Sequence, residues 1–137
     1  MNKVINVKDF SEFPGLRHCK ISANSGEEFY HKVLNSEFKK AIDNNFKLII
    51  NIDNTAGYAP SFLDEAFGNL IFDFSLEEVK KRLEIISHQE PDLKIMIEKE
   101  TFEQWEKRRI NNQKPKKTIK HKKWFRKNYD SIIEVEN

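Results

Sequence analysis

Residues 46–70, FKLIINIDNTAGYAPSFLDEAFGNL, read as a buried strand, a tight loop and a helix in succession. Lys47-Leu48-Ile49-Ile50-Asn51-Ile52 is rich in residues that suit a pleated, buried surface, and it closes on Asp53. Asn54 to Pro60 supplies turn residues, and Ser61-Phe62-Leu63-Asp64 has the form of an N-cap serine followed three residues later by an acid. Phe62, Leu63, Ala66, Phe67, Leu70 and Ile71 then recur at helical spacing. On residue chemistry alone this is a βα unit with a capped helix. It also presents one hydroxyl, that of Ser61, at a rigid strand-to-helix junction.

Upstream, Val4 to Val7 reads as a first strand, Ser11 to Gly15 as a loop, and Leu16 to Ile21 as a second strand, which together predict an N-terminal hairpin. Ser25-Gly26-Glu27-Glu28 is a capping box, and the helix it opens carries Phe29, Val33, Leu34, Phe38, Ala41 and Ile42 before Asn44-Asn45 ends it. Downstream, Ser75-Leu76-Glu77-Glu78 repeats the box ahead of a short helix, and Leu83 to Ser87 reads as a strand. Pro91 opens a last helix running to about Arg109. Strands alternating with helices predict an α/β fold in which helices flank a small mixed β-sheet.

The chain of 137 residues has the size of one domain, and eleven phenylalanines with 38% hydrophobic residues give it a core. No apolar run approaches the roughly 20 residues that span a bilayer, so no membrane segment is expected. MNKVINVKDF has no apolar stretch of secretory type, which makes the cytoplasm the expected compartment. Cys19 is the single cysteine, and His18, His31, His88 and His121 are spread without metal-ligand spacing. His18 and Cys19 are adjacent, but on a strand they would point to opposite faces. No metal and no cofactor are expected.

Charge divides the chain at Lys114. Residues 1–113 hold 16 basic and 19 acidic side chains, net −3, whereas residues 114–137 hold 8 and 3, net +5. The expected organisation is therefore a domain over 1–113 and a basic extension over 114–137. KPKKTIKHKKWFRK, Lys114 to Lys127, contains no acid. Lys116, Lys117, Lys120, Lys122, Lys123, Arg126 and Lys127 could neutralise nucleic-acid phosphates there while Trp124 stacks on a base. The alternative is an extension that packs on the acidic body or on a partner.

Enzyme chemistry finds little support. Asp53 ends a buried strand, as a phosphoacceptor aspartate would, but no glycine-rich phosphate loop accompanies it. Ser61, His88 and Asp53 could be drawn as a hydrolase triad, yet the glycine-x-serine-x-glycine elbow is missing. No enzymatic activity is expected.

Ser61-Phe62-Leu63-Asp64-Glu65-Ala66-Phe67-Gly68, preceded by Gly57-Tyr58, resembles the STAS domain family, named after sulphate transporters and bacterial anti-sigma factor antagonists. It is more closely similar to a divergent STAS-like family with an SFLDEAFG-type motif, and Ser25-Gly26-Glu27-Glu28-Phe29 is similar to that family's helix start. The resemblance covers about Leu16 to Arg109. It implies a small sheet flanked by helices and a regulatory, non-enzymatic, protein-binding role. By the same resemblance the partner is a kinase-like ATPase of the histidine-kinase type, met by Thr55, Gly57, Tyr58, Pro60, Ser61, Phe62, Asp64 and Glu65. In the antagonist branch a serine at the start of the helix after the central strand is phosphorylated, and the matching position is Ser61. Ala59-Pro60-Ser61-Phe62 stands where that branch has an aspartate-serine-serine-glycine-type motif.

Overall fold

The computed structural model describes residues 1–137. Strands β1 (Asn2–Asn6), β2 (Lys47–Asn51) and β3 (Leu83–Ile86) form a parallel sheet in the order β1-β2-β3. Parallel neighbours need long crossovers, and the helical segments between the strands provide them. Ile5, Ile50 and Ile85 lie in register, and Leu48, Ile50 and Ile85 are buried while Ile49 between them is only half-buried, so one face of the sheet carries the core.

The expected N-terminal hairpin does not form. β1 pairs with β2, and Val7 opens a short helix, α1 (Val7–Phe10). Leu16 to Ile21 is a looped segment instead of a strand. The Ile21 and Ser22 amides turn back onto the His18 carbonyl at 3.1 and 3.0 Å, and those of Gly26 and Glu27 donate to Leu16 and Arg17 at 2.9 and 3.0 Å. Its two apolar residues explain the failure. Leu16 and Ile21 are 48% and 72% exposed, so a strand there would have had no apolar face to bury.

Ser25 caps as its motif predicts, its Oγ accepting from the Glu28 amide at 3.0 Å. The helical run that follows passes from α2 (Gly26–Phe29) through a π-helical turn (Tyr30–Leu34) into α3 (Asn35–Asn44) and ends on Asn45 in the left-handed region at φ 54°. The widened turn brings Tyr30 and Asn35, five residues apart, into hydrogen-bond contact. Ser75 likewise caps α5 (Leu76–Arg82) through the Glu78 amide at 3.3 Å. A second π-helical turn (Ile97–Thr101) joins α6 (Pro91–Met96) to α7 (Phe102–Ile110).

The fifteen-residue α4 (Pro60–Phe74) is the axis of the molecule, with twelve of its residues buried. It lies against α2, α7 and the C-terminal segment. Two glycines permit that closeness. A Cβ on Gly26 would meet the Phe62 carbonyl oxygen at 2.3 Å, and one on Gly68 would meet the Trp105 ring at 2.1 Å. Ser61 is not the N-cap of α4. Ala59 holds that position and Pro60 is the first helical residue, which leaves Ser61 inside the first turn, where its side chain caps nothing.

Residues 114–137 return along the body and end in an antiparallel hairpin, β4 (Trp124–Asn128) and β5 (Ser131–Val135), separate from the main sheet. The fold is thus α/β, with a parallel sheet and a small antiparallel one. No helix is long and apolar enough to cross a membrane.

Candidate functional site

The loop from Asn54 to Ala59 is held from beneath. Both carboxylate oxygens of the buried Asp53 accept from the chain after β3, from the His88 and Gln89 amides at 3.0 Å each. The Tyr58 hydroxyl donates to the Ile52 carbonyl at 2.7 Å, and the Ala56 amide to that of Glu12 at 2.8 Å. Asp53 therefore fixes the loop, and it meets His88 through the backbone. No Ser61–His88–Asp53 triad is assembled.

At the head of α4, Ser61 is half-buried and lines an open groove of about 250 Å3 together with Arg17, Asp64, Met96 and Thr101. Arg17 Nη1 binds Asp64 Oδ2 at 2.6 Å and Glu65 Oε1 at 3.1 Å. Burial works against the guanidinium charge, but the bonds to Asp64 and then Glu65 outweigh it and hold the Arg17 pKa above its ordinary value. Asp64 Oδ1 also accepts from Thr101 and from the Trp105 indole, both at 3.2 Å. Of the predicted contact residues, Thr55, Gly57, Tyr58, Pro60, Ser61 and Asp64 reach the surface at least in part. Phe62 and Glu65 do not. Phe62 is fully buried with its ring 5.9 Å from that of Phe29, and Glu65, 2% exposed, is bonded to Arg17 and Asn69.

The charge division between body and extension appears in the structure as a seam of contacts. Asp73 of α4, 2% exposed, accepts from the Tyr30 hydroxyl and from Arg126 Nε at 2.7 Å. Burial raises the pKa of Asp73, with Arg126 and Lys117 opposing, and burial followed by Asp73 raises that of Tyr30. Asn35 brackets the Phe125 backbone, donating to its carbonyl at 2.9 Å and accepting from its amide at 2.8 Å. Lys117 Nζ donates to Asn69 at 2.6 Å and lies over the Trp124 ring at 5.2 Å, and its burial lowers its pKa.

Trp124, 5% exposed, is a packing residue, so the expected base-stacking platform is not at the surface. Lys117 and Arg126 are committed to the seam, and Lys127 reaches Glu78 at 3.4 Å. Lys116, Lys120, Lys122 and Lys123 remain exposed.

At one end of the seam stands Glu27, fully buried. Its Oε1 accepts from Thr118 Oγ1 at 2.6 Å and from the Cys19 amide at 3.0 Å, with His18 Nδ1 at 3.3 Å. Its Oε2 accepts from the Thr118 amide at 3.0 Å and lies 2.6 Å from His121 Nε2. Burial alone would raise its pKa, but the bonds from Thr118, His121 and the Cys19 amide bring it down to about 2. His31 stacks on His121 with ring centroids 3.7 Å apart. Burial, then Lys117 and His121, lower the His31 pKa to about 2, so that ring is neutral. The Cys19 thiol, raised to about 11 chiefly by burial, is protonated.

Three of the four histidines thus converge, although they lie far apart in sequence. The looped path of residues 16–22 removes the argument that His18 and Cys19 must point apart. One signal was legible: Glu27 and His31 stand at i and i+4 within the helix's apolar stripe, an unusual place for both.

No characterised protein and no solved structure matches the chain significantly. A family does match, over residues 25–93, from the cap of α2 into α6 and across the whole of α4. The chain belongs to that family, the STAS-like domain of unknown function (DUF4325).

Proposed function

We propose that this chain is a non-enzymatic regulatory module that binds a protein partner through the loop from Thr55 to Ser61 and the exposed side of the first turn of α4, and that phosphorylation of Ser61 releases the partner. The observation that carries the reading is the setting of Ser61: in the first turn of a fifteen-residue helix, capping nothing, in an open groove shared with Arg17. A phosphate there adds close to two negative charges beside the positive end of the helix dipole, so it need not unfold the domain. It also competes with Asp64 and Glu65 for Arg17, whose backbone carbonyl is bonded to the start of α2. The loop's anchors on Asp53 and Tyr58 favour a preformed docking surface. The resemblance to antagonist proteins makes a kinase-like ATPase the expected partner.

The test is a pull-down from native lysate with wild type, Ser61→Ala and Ser61→Glu, reading bound proteins and Ser61 modification by mass spectrometry. An ATPase held by wild type and Ser61→Ala but released by Ser61→Glu supports the reading. Recovery of nucleic acid alone, with Ser61 unmodified, overturns it. The nucleic-acid reading ranks second: it retains the exposed lysines Lys116, Lys120, Lys122, Lys123 and Lys127, but Trp124, the aromatic expected to stack, is buried.

A further inference from the structure

We propose that Cys19, Glu27 and His121, completed by His18, form a binding site for a zinc-type divalent metal ion that ties the segment before α2 to the C-terminal extension. A ligand atom from each of Cys19, Glu27 and His121 lies within 4.8 Å of the other two. His18 Nδ1 reaches the same carboxylate at 3.3 Å. The only cysteine of the chain and two of its four histidines, His18 and His121, therefore meet at one buried carboxylate, brought there by three segments: the loop at 18–19, α2 at 27 and the extension at 121, while His31 stacks on His121. His88, the remaining histidine, is exposed and elsewhere.

The donor set suits the ion. Thiolate, imidazole and carboxylate are the ligands zinc accepts, normally four in a tetrahedron. Bonds of about 2.0–2.3 Å put tetrahedral ligands about 3.3–3.8 Å apart, so the atoms, all within 4.8 Å of one another, need shifts of about 1 Å, the His121–Glu27 contact at 2.6 Å opening as its shared proton gives way to the ion. Charge also balances. A carboxylate and a thiolate against a divalent ion leave no net charge around the fully buried Glu27, and the thiol proton leaves to solvent through the partly exposed side of Cys19 and His18.

The surroundings are those of a supported site. Thr118 and the Cys19 amide fix the Glu27 carboxylate by hydrogen bonds, as outer groups orient metal ligands. His31 adds a separate observation: stacked on His121, it has both ring nitrogens buried without a hydrogen-bond partner. A buried imidazole with no partner is unusual, and its stacking on His121 puts an unsatisfied polar ring directly behind one of the proposed ligands. The inference is independent of the Ser61 reading, and His18, Cys19 and His121 lie outside the matched residues 25–93.

The experiment strips the full-length protein with a chelator and titrates it with Co2+, then displaces the cobalt with Zn2+ while reading absorbance. The expected result is one ion per chain, with the visible bands of tetrahedral cobalt and a thiolate-to-metal charge-transfer band. Cys19→Ser, nearly isosteric, should abolish the charge-transfer band. His121→Asn should weaken binding by at least about 100-fold, while His88→Asn leaves it unchanged. No stoichiometric binding to wild type, or binding that survives both Cys19→Ser and His121→Asn, would mean an adventitious ion only and overturn the proposal. Far-UV circular dichroism of each variant separates lost binding from lost fold.

Discussion

At the scale of single residues, serine chemistry is the clearest test of how the chain encodes its helices. Ser25 and Ser75 accept from amides three residues on, whereas Ser61 accepts from none in its helix's first turn. Removing a capping hydroxyl costs about 1 kcal/mol, and more when the site is buried, as Ser25 is. Ser25→Ala should therefore lower stability by about 1–2 kcal/mol in urea unfolding, and Ser61→Ala by less than about 0.5 kcal/mol. Equal losses would return Ser61 to a capping role. The boxes at Ser25 and Ser75 were legible because a cap is a local contract between residues three apart. Ser61 was misread because Pro60 competes: its fixed φ and missing amide suit the first helical position, which moves the cap back to Ala59.

At the scale of elements, the decisive contact is α4 against α7. Gly68 faces the Trp105 ring so closely that an added Cβ would lie 2.1 Å from a ring carbon. Trp105 is itself held, its indole donating to Asp64 at 3.2 Å and the Arg108 guanidinium lying 4.0 Å from its ring centre. A shift of the ring strains its bond to Asp64, a carboxylate also held by Arg17 and Thr101. Gly68→Ala should gain about 1 kcal/mol of helix propensity yet lose more to overpacking, for a net loss of about 1–3 kcal/mol. A variant as stable as wild type would show that the two helices have room to part. The longer helices were legible, since 3.6-residue periodicity is local, but the four-residue α1 (Val7–Phe10), too short to show a period, was not. The sheet was not: the false hairpin arose because Leu16 to Ile21 has strand-like residues but no buried partner, and the parallel pairing of β1 with β2 spans some forty residues. The first π-helical turn was equally hidden, because what it achieves, Tyr30 and Asn35 meeting over Asp73, depends on an element remote in sequence.

At the scale of the whole molecule, the body and the C-terminal extension hold each other through buried charge, and that arrangement has a pH signature. In the unfolded chain His31 takes up a proton near pH 6.5, but in the folded chain its pKa is about 2. Between those values the unfolded state binds the extra proton, so stability falls as pH drops through 6.5. Glu27, folded at about 2 against 4.5 unfolded, adds a second loss below pH 4.5 of the same sign. Asp73 opposes both, since burial raises its folded pKa and protonation relieves it. Each unbalanced proton is worth up to about 1.4 kcal/mol per pH unit. Chelator-treated protein should therefore lose stability from about pH 6.5 downward, more steeply below 4.5, with the urea midpoint as the measure. His31→Phe keeps a ring for His121 to stack on and removes the buried titrating nitrogens. It should flatten the leg between pH 6.5 and 4.5 while leaving the lower one in place. Matching slopes in the two proteins would mean that His31 is hydrated in solution, and that the seam joining the extension to the body opens there before the rest of the fold.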